Sequence, residues 1–215
     1  IMTKDEKELI FVHRRHVGWI DREEKTYHIP STITKIGDYA MMYSDFTKII
    51  IPDHVTEIGK RAFLYSDSEV NIPTQIVSIG ESAYAECRFK GELILPEGLE
   101  VIGAGAFSIN ELTAIVFPST LKSLGLGVFS SGPNSRYHNK VTTITFKSWK
   151  INEEEIPRFQ AFILYNYRST LIEEITVILP ENEDEAAELK GYLDESLNIA
   201  IDSIEHLYIK AIIYE

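Results

Sequence analysis

The sequence predicts a solenoid of the α/β type, in which short repeated units stack and align their strands into a parallel β-sheet on one face. The first observation is a pattern, Pro-x-x-aliphatic-x-x-aliphatic-Gly-x-x-small-aromatic, that occurs five times, with prolines at positions 30, 52, 73, 96 and 118. The second is that apolar residues alternate just before each proline, which is the periodicity of a strand. A unit of about 22 residues cannot bury its own apolar face, so it must stack on its neighbours.

The composition is that of a folded, acidic chain. Of its 215 residues, 44% are hydrophobic and 25% are charged, and the formal net charge is −12. A nucleic-acid-binding protein needs a basic face to offset phosphate repulsion, and none is visible here, so we expect no nucleic-acid partner. The single cysteine, Cys87, excludes an internal disulfide framework and a metal site with four thiolate ligands.

Residues 1–26 are predicted to form an N-terminal cap that contains strands. Strand-like alternation surrounds Trp19, as expected of a unit that covers the exposed apolar end of the first repeat. The apolar run at 9–12 is interrupted at once by His13 and two arginines, so it is neither a signal-peptide core nor a membrane span. We therefore expect no membrane insertion of this segment.

The cellular location stays open at this point. If Met2 is the natural start, the sequence indicates a cytoplasmic protein. If a signal segment has been removed, a secreted protein or one displayed on the cell surface is expected instead.

Residues 27–132 are predicted to contain the five repeats. The residues one and three positions before each proline should point inward, and proline should end each strand because it cannot donate to a continuing ladder. The aliphatic residues three and six positions after the proline should return to the core. The glycine that follows should form a tight corner, for which we expect a positive φ. The small and aromatic residues that come next, such as Ala62 and Phe63, should pack between units as core.

This pattern resembles the BspA-like leucine-rich repeats, which are found chiefly in bacterial surface proteins. The resemblance rests on residues 51–63 and their four copies, and it covers about half the chain. Members of that family often carry Cys or Asn four residues after the small residue. The resemblance therefore implies that Cys87 is an inner residue of a turn. The equivalent positions in the other units are Ser44, Ser66, Asn110 and Gly132.

Residues 133–215 are predicted to form longer strand-helix units that continue the same parallel sheet. A polar insertion at 132–140 precedes a sixth strand, and Asn182 should cap a helix with an acidic first turn, matching its dipole. The predicted elements are strands at Val141–Phe146, Ile175–Leu179 and His206–Tyr214, a helix from Pro157 to Tyr167, and a helix after Asn182 with a buried stripe of Ala186, Leu189, Leu193 and Leu197.

No arrangement of residues predicts catalysis, a cofactor or a metal. His13 and His16 would point to opposite faces of a strand, because an offset of three is odd. No nucleophile elbow, phosphate-binding glycine loop, calcium loop or zinc-binding helix motif is present in the sequence. We therefore expect no enzyme activity, no cofactor and no metal site.

The sharper functional signal lies on the outward side of the strands. If residues one and three positions before each proline point inward, those two and four positions before it point outward. Ile50, Ile94 and Val116 are then exposed aliphatic residues on one ladder, and neighbouring ladder positions lie only ~4.8 Å apart. The candidate binding residues are Lys48, Ile50, Glu69, Asn71, Glu92, Ile94 and Val116 on the strands and Arg136, Tyr137 and His138 in the polar loop.

These observations predict a non-catalytic protein-interaction scaffold. The family resemblance implies a bacterial surface or secreted protein of adhesion type, with a host or bacterial protein as its partner. A cytoplasmic structural or regulatory module with the same fold is the alternative, and a hydrolase with an unrecognised site is a remote one. A glycan ligand and self-association are further alternatives for the binding face.

Overall fold

The computed structural model describes most of the chain, and all structural statements below concern this part. The described residues are 2–3, 5–12, 26–66, 68–130, 139–149, 174–203 and 211–214. In chain order the elements are β1 (Glu8–Leu9), β2 (Thr26–His28), β3 (Lys35–Ile36), β4 (Lys48–Ile50), β5 (Glu57–Ile58), β6 (Glu69–Val70), β7 (Ser78–Ile79), β8 (Lys90–Ile94), β9 (Val101–Ile102), β10 (Glu111–Phe117), β11 (Ser123–Leu124), β12 (Thr143–Phe146), β13 (Glu174–Ile178), α1 (Glu183–Ser203) and β14 (Ala211–Tyr214).

The strands that precede the prolines form parallel sheets, as predicted. An N-terminal sheet has the order β2-β4-β6, and a C-terminal sheet has the order β14-β13-β12-β10-β8. All pairs between these strands are parallel and connect successive units. The longer C-terminal units thus continue a parallel sheet. The predicted helix at 157–167 and the first half of the predicted last strand lie outside the described residues.

The N-terminal and C-terminal sheets are separate, which corrects the prediction of one ladder. Among the described residues, no backbone pairing joins β6 to β8. Just after β6, the Tyr84 hydroxyl donates to the Asn71 carbonyl at 3.3 Å. Toward the preceding unit, the Asn71 side chain accepts a hydrogen bond from the Ile51 N–H at 2.7 Å and donates one to the Ile51 carbonyl at 2.9 Å. Side chains therefore satisfy backbone groups around the end of β6, in keeping with the cost of leaving such groups unpaired.

A third sheet lies at the corners of the repeats and was not predicted. It consists of two-residue strands in the order β1-β3-β5-β7-β9-β11. The strands β3, β5, β7, β9 and β11 each end with the second aliphatic residue of the pattern, directly before the glycine, and each of these residues is buried. We call it the corner sheet. The sequence analysis correctly placed these aliphatic residues in the core but missed the backbone pairing between them.

The corner glycines are required by close packing and not by a positive φ, so that prediction was wrong. None of Gly37, Gly59, Gly80, Gly103 and Gly125 has a positive φ. A Cβ atom added at Gly125 would lie 2.2 Å from the Ala104 nitrogen, and one at Gly103 would lie 2.5 Å from the Glu81 nitrogen. Successive corners stack so closely that only a hydrogen atom fits between them.

We expect Gly125→Ala to destabilise the fold and Gly191→Ala to stabilise it. At Gly125 the new methyl group meets backbone that cannot rotate away, at a cost of about 1–3 kcal/mol or more. Gly191 lies inside α1 with no atom within 4 Å of its added Cβ, so alanine should contribute roughly 0.5–1 kcal/mol through helix propensity. Urea unfolding of the two variants measures both effects. Equal changes in the free energy of unfolding of the two variants would contradict the close-packing explanation.

Aromatic rings form a continuous stack through the core, as the repeat predicted. The centroid separations are 5.3 Å for Phe63 and Tyr84, 5.4 Å for Tyr84 and Phe107, and 5.9 Å for Phe107 and Phe129. All four rings are fully buried. They lie within 17° of parallel, so each repeat rests on the aromatic face of the next.

The column that includes Cys87 consists of buried turn residues, as the resemblance implied. The Cys87 N–H donates to the Asn110 Oδ1 atom at 3.1 Å, and its thiol donates to the Phe63 carbonyl at 3.1 Å. Gly132, which the sequence analysis assigned to this column, lies outside the described residues, and Asn139 makes the hydrogen bonds of this column in the fifth unit. The Asn139 amide donates to the Phe129 carbonyl just as the Asn110 amide donates to the Phe107 carbonyl, both at 2.9 Å. The polar insertion therefore ends where the repeat resumes at Asn139.

Helix α1 begins as predicted and packs against the end of the solenoid. The Asn182 Oδ1 atom accepts a hydrogen bond from the Glu185 N–H at 3.0 Å, which is an N-cap contact. The Glu185 carboxylate in turn accepts from the Trp149 N–H at 2.7 Å. Leu189 and Leu193 are buried as predicted, whereas Ala186 is only half-buried and the side chain of Leu197 lies outside the described residues.

Candidate binding surface

The outward side chains of the C-terminal sheet form two rows that run across its strands. The strand register aligns four residues in the first row, Ile94, Val116, Thr145 and Ile178. It aligns another four in the second row, Glu92, Ala114, Thr143 and Thr176. We call these eight residues the strand face. Ile94 and Val116 are direct neighbours in this register, so their side chains form the contiguous aliphatic pair that the sequence analysis expected.

Exposure alternates along the strands of this sheet in the expected way. The inward residues Leu93, Ile115, Ile144 and Val177 are buried. Ile94 is 60% exposed, and Val116 and Ile178 are half-buried. Ile94 also lies on β8, the edge strand of the C-terminal sheet. The strand face therefore presents aliphatic and threonine methyl groups to solvent in a single row.

Glu92 is the charged member of the strand face. It is exposed, it lies next to Ala114 in the register, and it forms no ion pair within the described part of the chain. The neighbouring charges at the end of the same strands, Lys90 and Glu111, neutralise each other at 2.7 Å. The strand face thus combines an aliphatic row with one unpaired carboxylate.

The other candidate strand residues lie in the N-terminal sheet. Ile50 is paired in register with His28, so it is not part of the ladder that holds Ile94 and Val116. Lys48 and Glu69 form an ion pair with each other at 3.0 Å. Asn71 uses its amide group to bind the backbone of Ile51. The structure therefore separates these four residues from Glu92, Ile94 and Val116.

Several candidate residues fall outside the described residues. They are His13, His16, Trp19, Arg136, Tyr137 and His138. Within the described ranges, no group of three or more His, Cys, Asp or Glu side chains is placed to hold a metal ion. Likewise, none of the described helices combines the length and the apolar composition that a membrane crossing requires.

Three exposed tyrosines on the turns were missed by the sequence analysis. Tyr39, Tyr43 and Tyr65 are 40%, 49% and 42% exposed. Their φ angles are 59°, 57° and 58°, in the left-handed region that bulky side chains rarely adopt. Tyr43 and Tyr65 occupy equivalent positions in adjacent repeats, and their rings stack at 4.9 Å with an angle of 7°. We call these three residues the tyrosine surface.

A sequence signal for these tyrosines exists in the spacing. Tyr39 follows its proline by nine residues, and Tyr43 and Tyr65 follow theirs by thirteen. The residues nine positions after the other prolines are Arg61, Ser82, Gly105 and Gly127, and every one of them has a positive φ. The two glycines at this position, Gly105 and Gly127, are the sequence signal for a left-handed backbone at the equivalent position of the first repeat, Tyr39.

Ionised groups surround the tyrosine surface. The negative charge of Glu86, together with a hydrogen bond to it and burial, raises the pKa of the Tyr65 phenol. Glu81 binds the Lys60 ammonium group at 2.7 Å and the Arg61 guanidinium group at 3.3 Å. The hydrogen bond from Lys60 is the largest cause of the lowered pKa of Glu81. Lys60 and Arg61 are thus held by the same carboxylate.

Comparison with known proteins identifies the repeat. The family model for the BspA-type leucine-rich repeat region matches residues 23–136 in six copies, one more than the five proline units counted above. The structure is similar to the crystal structure of the pneumococcal vaccine antigen PcpA, with a TM-score of 0.61 and 16% sequence identity. That match covers all of this chain and 45% of the antigen, so the chain spans less than half the length of that protein. No curated protein sequence matches the chain.

The family match covers more than half of the chain, and the stacked strands, corner glycines and aromatic column account for its pattern residue by residue. This chain belongs to the BspA-type leucine-rich repeat family.

Proposed function

We propose that this chain is a non-catalytic protein-interaction scaffold of a bacterial surface or secreted protein, and that the strand face binds a protein partner. Leucine-rich repeat proteins generally bind proteins, and solenoids offer extended surfaces for this purpose. The observation that supports the proposal most directly is the aliphatic row of Ile94, Val116, Thr145 and Ile178.

The chemistry of the strand face indicates what kind of partner fits. Aliphatic residues that neighbour one another on a sheet lose unfavourable hydration when a partner covers them, at roughly 25 cal/mol per Å² of apolar surface. The unpaired Glu92 carboxylate beside this row favours a partner that carries Lys or Arg at the rim of its apolar contact. We therefore propose a host or bacterial protein with an apolar centre and a basic rim.

We expect the double substitution Ile94→Asp and Val116→Asp to abolish binding of the partner without unfolding the chain. Both side chains point away from the core, so the substitution places charge on the contact surface only. Pull-down of host extracellular proteins and, separately, of cell lysate would measure capture, and light scattering after size exclusion would measure self-association. Circular dichroism melting would show whether folding is retained.

Leu126→Asp is the matched control for this experiment. Leu126 is 47% exposed on a turn of the fifth repeat, so its substitution also exchanges an exposed aliphatic residue for a carboxylate, adding one negative charge instead of two, away from the strand face. A partner captured by the wild type and by Leu126→Asp, and lost from the double variant, would support the proposal. Equal capture by all three proteins would overturn it, and so would unfolding of the double variant, because the strand face would then be core.

A further inference from the structure

The strand face has the composition of a sheet face that another element covers. Parallel sheets generally have both faces covered, and their strands then form nearly continuous apolar runs. All but one of the strand-face residues are uncharged: Ile94, Val116, Thr145, Ile178, Ala114, Thr143 and Thr176. The outward side of the N-terminal sheet differs, since Lys48 and Glu69 form an exposed ion pair there. Yet Ile94 is 60% exposed, which indicates that the covering element belongs to a partner.

Ion pairs lie at both ends of the strands that carry the strand face. Lys90 and Glu111, at the start of β8 and β10, pair at 2.7 Å. Lys147 directly follows β12 and pairs with Glu97 at 2.9 Å. The Glu97 carboxylate also accepts a hydrogen bond from the Ser119 hydroxyl at 2.9 Å. The strand face is therefore a narrow surface, two outward residues wide, that runs across the strands between charged groups.

The dimensions of the strand face match those of one α-helix. With strands ~4.8 Å apart and outward residues ~6.6 Å apart along each strand, its area is about 19 by 13 Å, or on the order of 250 Å². A stable interface between globular proteins takes roughly 800 Å² from each partner, so the strand face alone is too small for one. An α-helix of about 13 residues is about 19 Å long and about 10–12 Å wide with its side chains. A single helix along the rows therefore covers the strand face and leaves the flanking ion pairs in water.

Glu92 determines the charge that such a helix must carry. Its carboxylate is exposed on β8, two residues before Ile94, and forms no ion pair within the described residues. Lys90, the cation of the same strand, is bound to Glu111. A helix with Lys or Arg at the β8 end of its apolar stripe neutralises this carboxylate, and the formal net charge of −12 attracts that cation at longer range.

We propose that the strand face takes an amphipathic α-helix of the partner, with apolar residues at positions i, i+3, i+4 and i+7 on the face and a Lys or Arg beside Glu92. The inference rests on the protein-binding role proposed above and adds the secondary structure and the charge pattern of the bound element. All residues of the first row are β-branched, so their side chains have few rotamers to lose when a helix covers them.

The test measures the fluorescence anisotropy of a labelled peptide of about 18 residues, long enough to form a helix in water, titrated with the full chain. The peptide has leucine at i, i+3, i+4 and i+7, one lysine in its first turn, and alanine and glutamine elsewhere. An isomer of the same composition has leucine at alternate positions, which suits an extended strand. The helical peptide should bind at least about tenfold more tightly than the isomer. Ile94→Asp with Val116→Asp should abolish this binding, whereas Leu126→Asp should retain it.

Exchange of charge tests whether the helix lies beside Glu92. At low salt, a peptide with glutamate in place of its lysine should bind the wild type roughly two- to fivefold more weakly, and Glu92→Lys should reverse this preference. No binding of the helical peptide, tighter binding of the isomer, or no reversal by Glu92→Lys would overturn the proposal. Binding that survives in the Ile94→Asp and Val116→Asp variant would also overturn it. If pull-down captures a protein through the strand face that the helical peptide does not displace, the proposed function stands and the helix is rejected.

Discussion

Phe107→Ala is expected to lower the free energy of unfolding by about 3–5 kcal/mol. Phe107 is fully buried and stands in the middle of the aromatic stack, with Tyr84 at 5.4 Å on one side and Phe129 at 5.9 Å on the other. Phe89 meets it edge-on at 5.8 Å. Truncation removes apolar burial and leaves a cavity between rigid repeats, which cannot close because the corners on both sides are already in contact.

Urea unfolding followed by circular dichroism would measure this change, with Leu126→Ala as the matched control. Leu126 is an exposed residue of similar apolar character, so its loss should change the free energy of unfolding by no more than about 0.5 kcal/mol. Each repeat contacts only its neighbours, so in Phe107→Ala the repeats on either side of position 107 should unfold at different urea concentrations. The unfolding transition should therefore be broader than that of the wild type. Equal midpoints for the two variants would show that the aromatic stack does not hold the repeats together.

The core was predictable from the sequence because every stacked repeat contributes residues from the same positions of the pattern to it. Once the period is known, every unit must bury the same positions, and residues such as Val55, Ile79 and Phe129 prove to be fully or almost fully buried. The corner sheet was not predictable by the same means. Its strands have only two residues, so they show no alternation that a pattern search could recognise. Their pairing follows from the stacking and becomes visible only in three dimensions.

The corner glycines show that the sequence can predict where a glycine is required without showing the physical reason for it. A glycine that recurs at a turn is explained equally well by a positive φ and by close contact of two backbones. The sequence does not distinguish these causes, and the expected positive φ was wrong at Gly103 and Gly125. The positive φ occurs two residues later, at positions that include Arg61 and Tyr39. Because residues with side chains, such as Tyr39 and Arg61, occupy that position, the sequence does not indicate its left-handed backbone.

The candidate binding surface was predictable in part. Strand alternation correctly placed Ile94 and Val116 outward and side by side. The break between the N-terminal and C-terminal sheets was not predictable, because the residues before Pro73 and Pro96 show the same strand alternation as those of the other units. The exposure of Tyr43 and Tyr65 was missed because it follows from the path of the turn, which no local pattern encodes.

Asn110→Ala is expected to lower the free energy of unfolding by at least about 3 kcal/mol, because several buried backbone groups lose their partners at about 1–3 kcal/mol each. The Asn110 Oδ1 atom accepts from the N–H groups of Cys87 at 3.1 Å and Phe89 at 3.0 Å. Its amide nitrogen donates to the carbonyls of Tyr84 at 3.0 Å and Phe107 at 2.9 Å. One side chain thus joins the turns of two adjacent repeats inside the core.

Asn71→Ala is the matched control, measured by the same urea unfolding experiment. The Asn71 amide makes two hydrogen bonds to Ile51, but it is half-buried, so water can replace it and the expected loss is about 1 kcal/mol. The ratio of the two effects therefore reports how completely water is excluded from the turn column. If Asn110→Ala cost no more than Asn71→Ala, the turns would have to be open to water, and the buried amide could not be what aligns one repeat on the next.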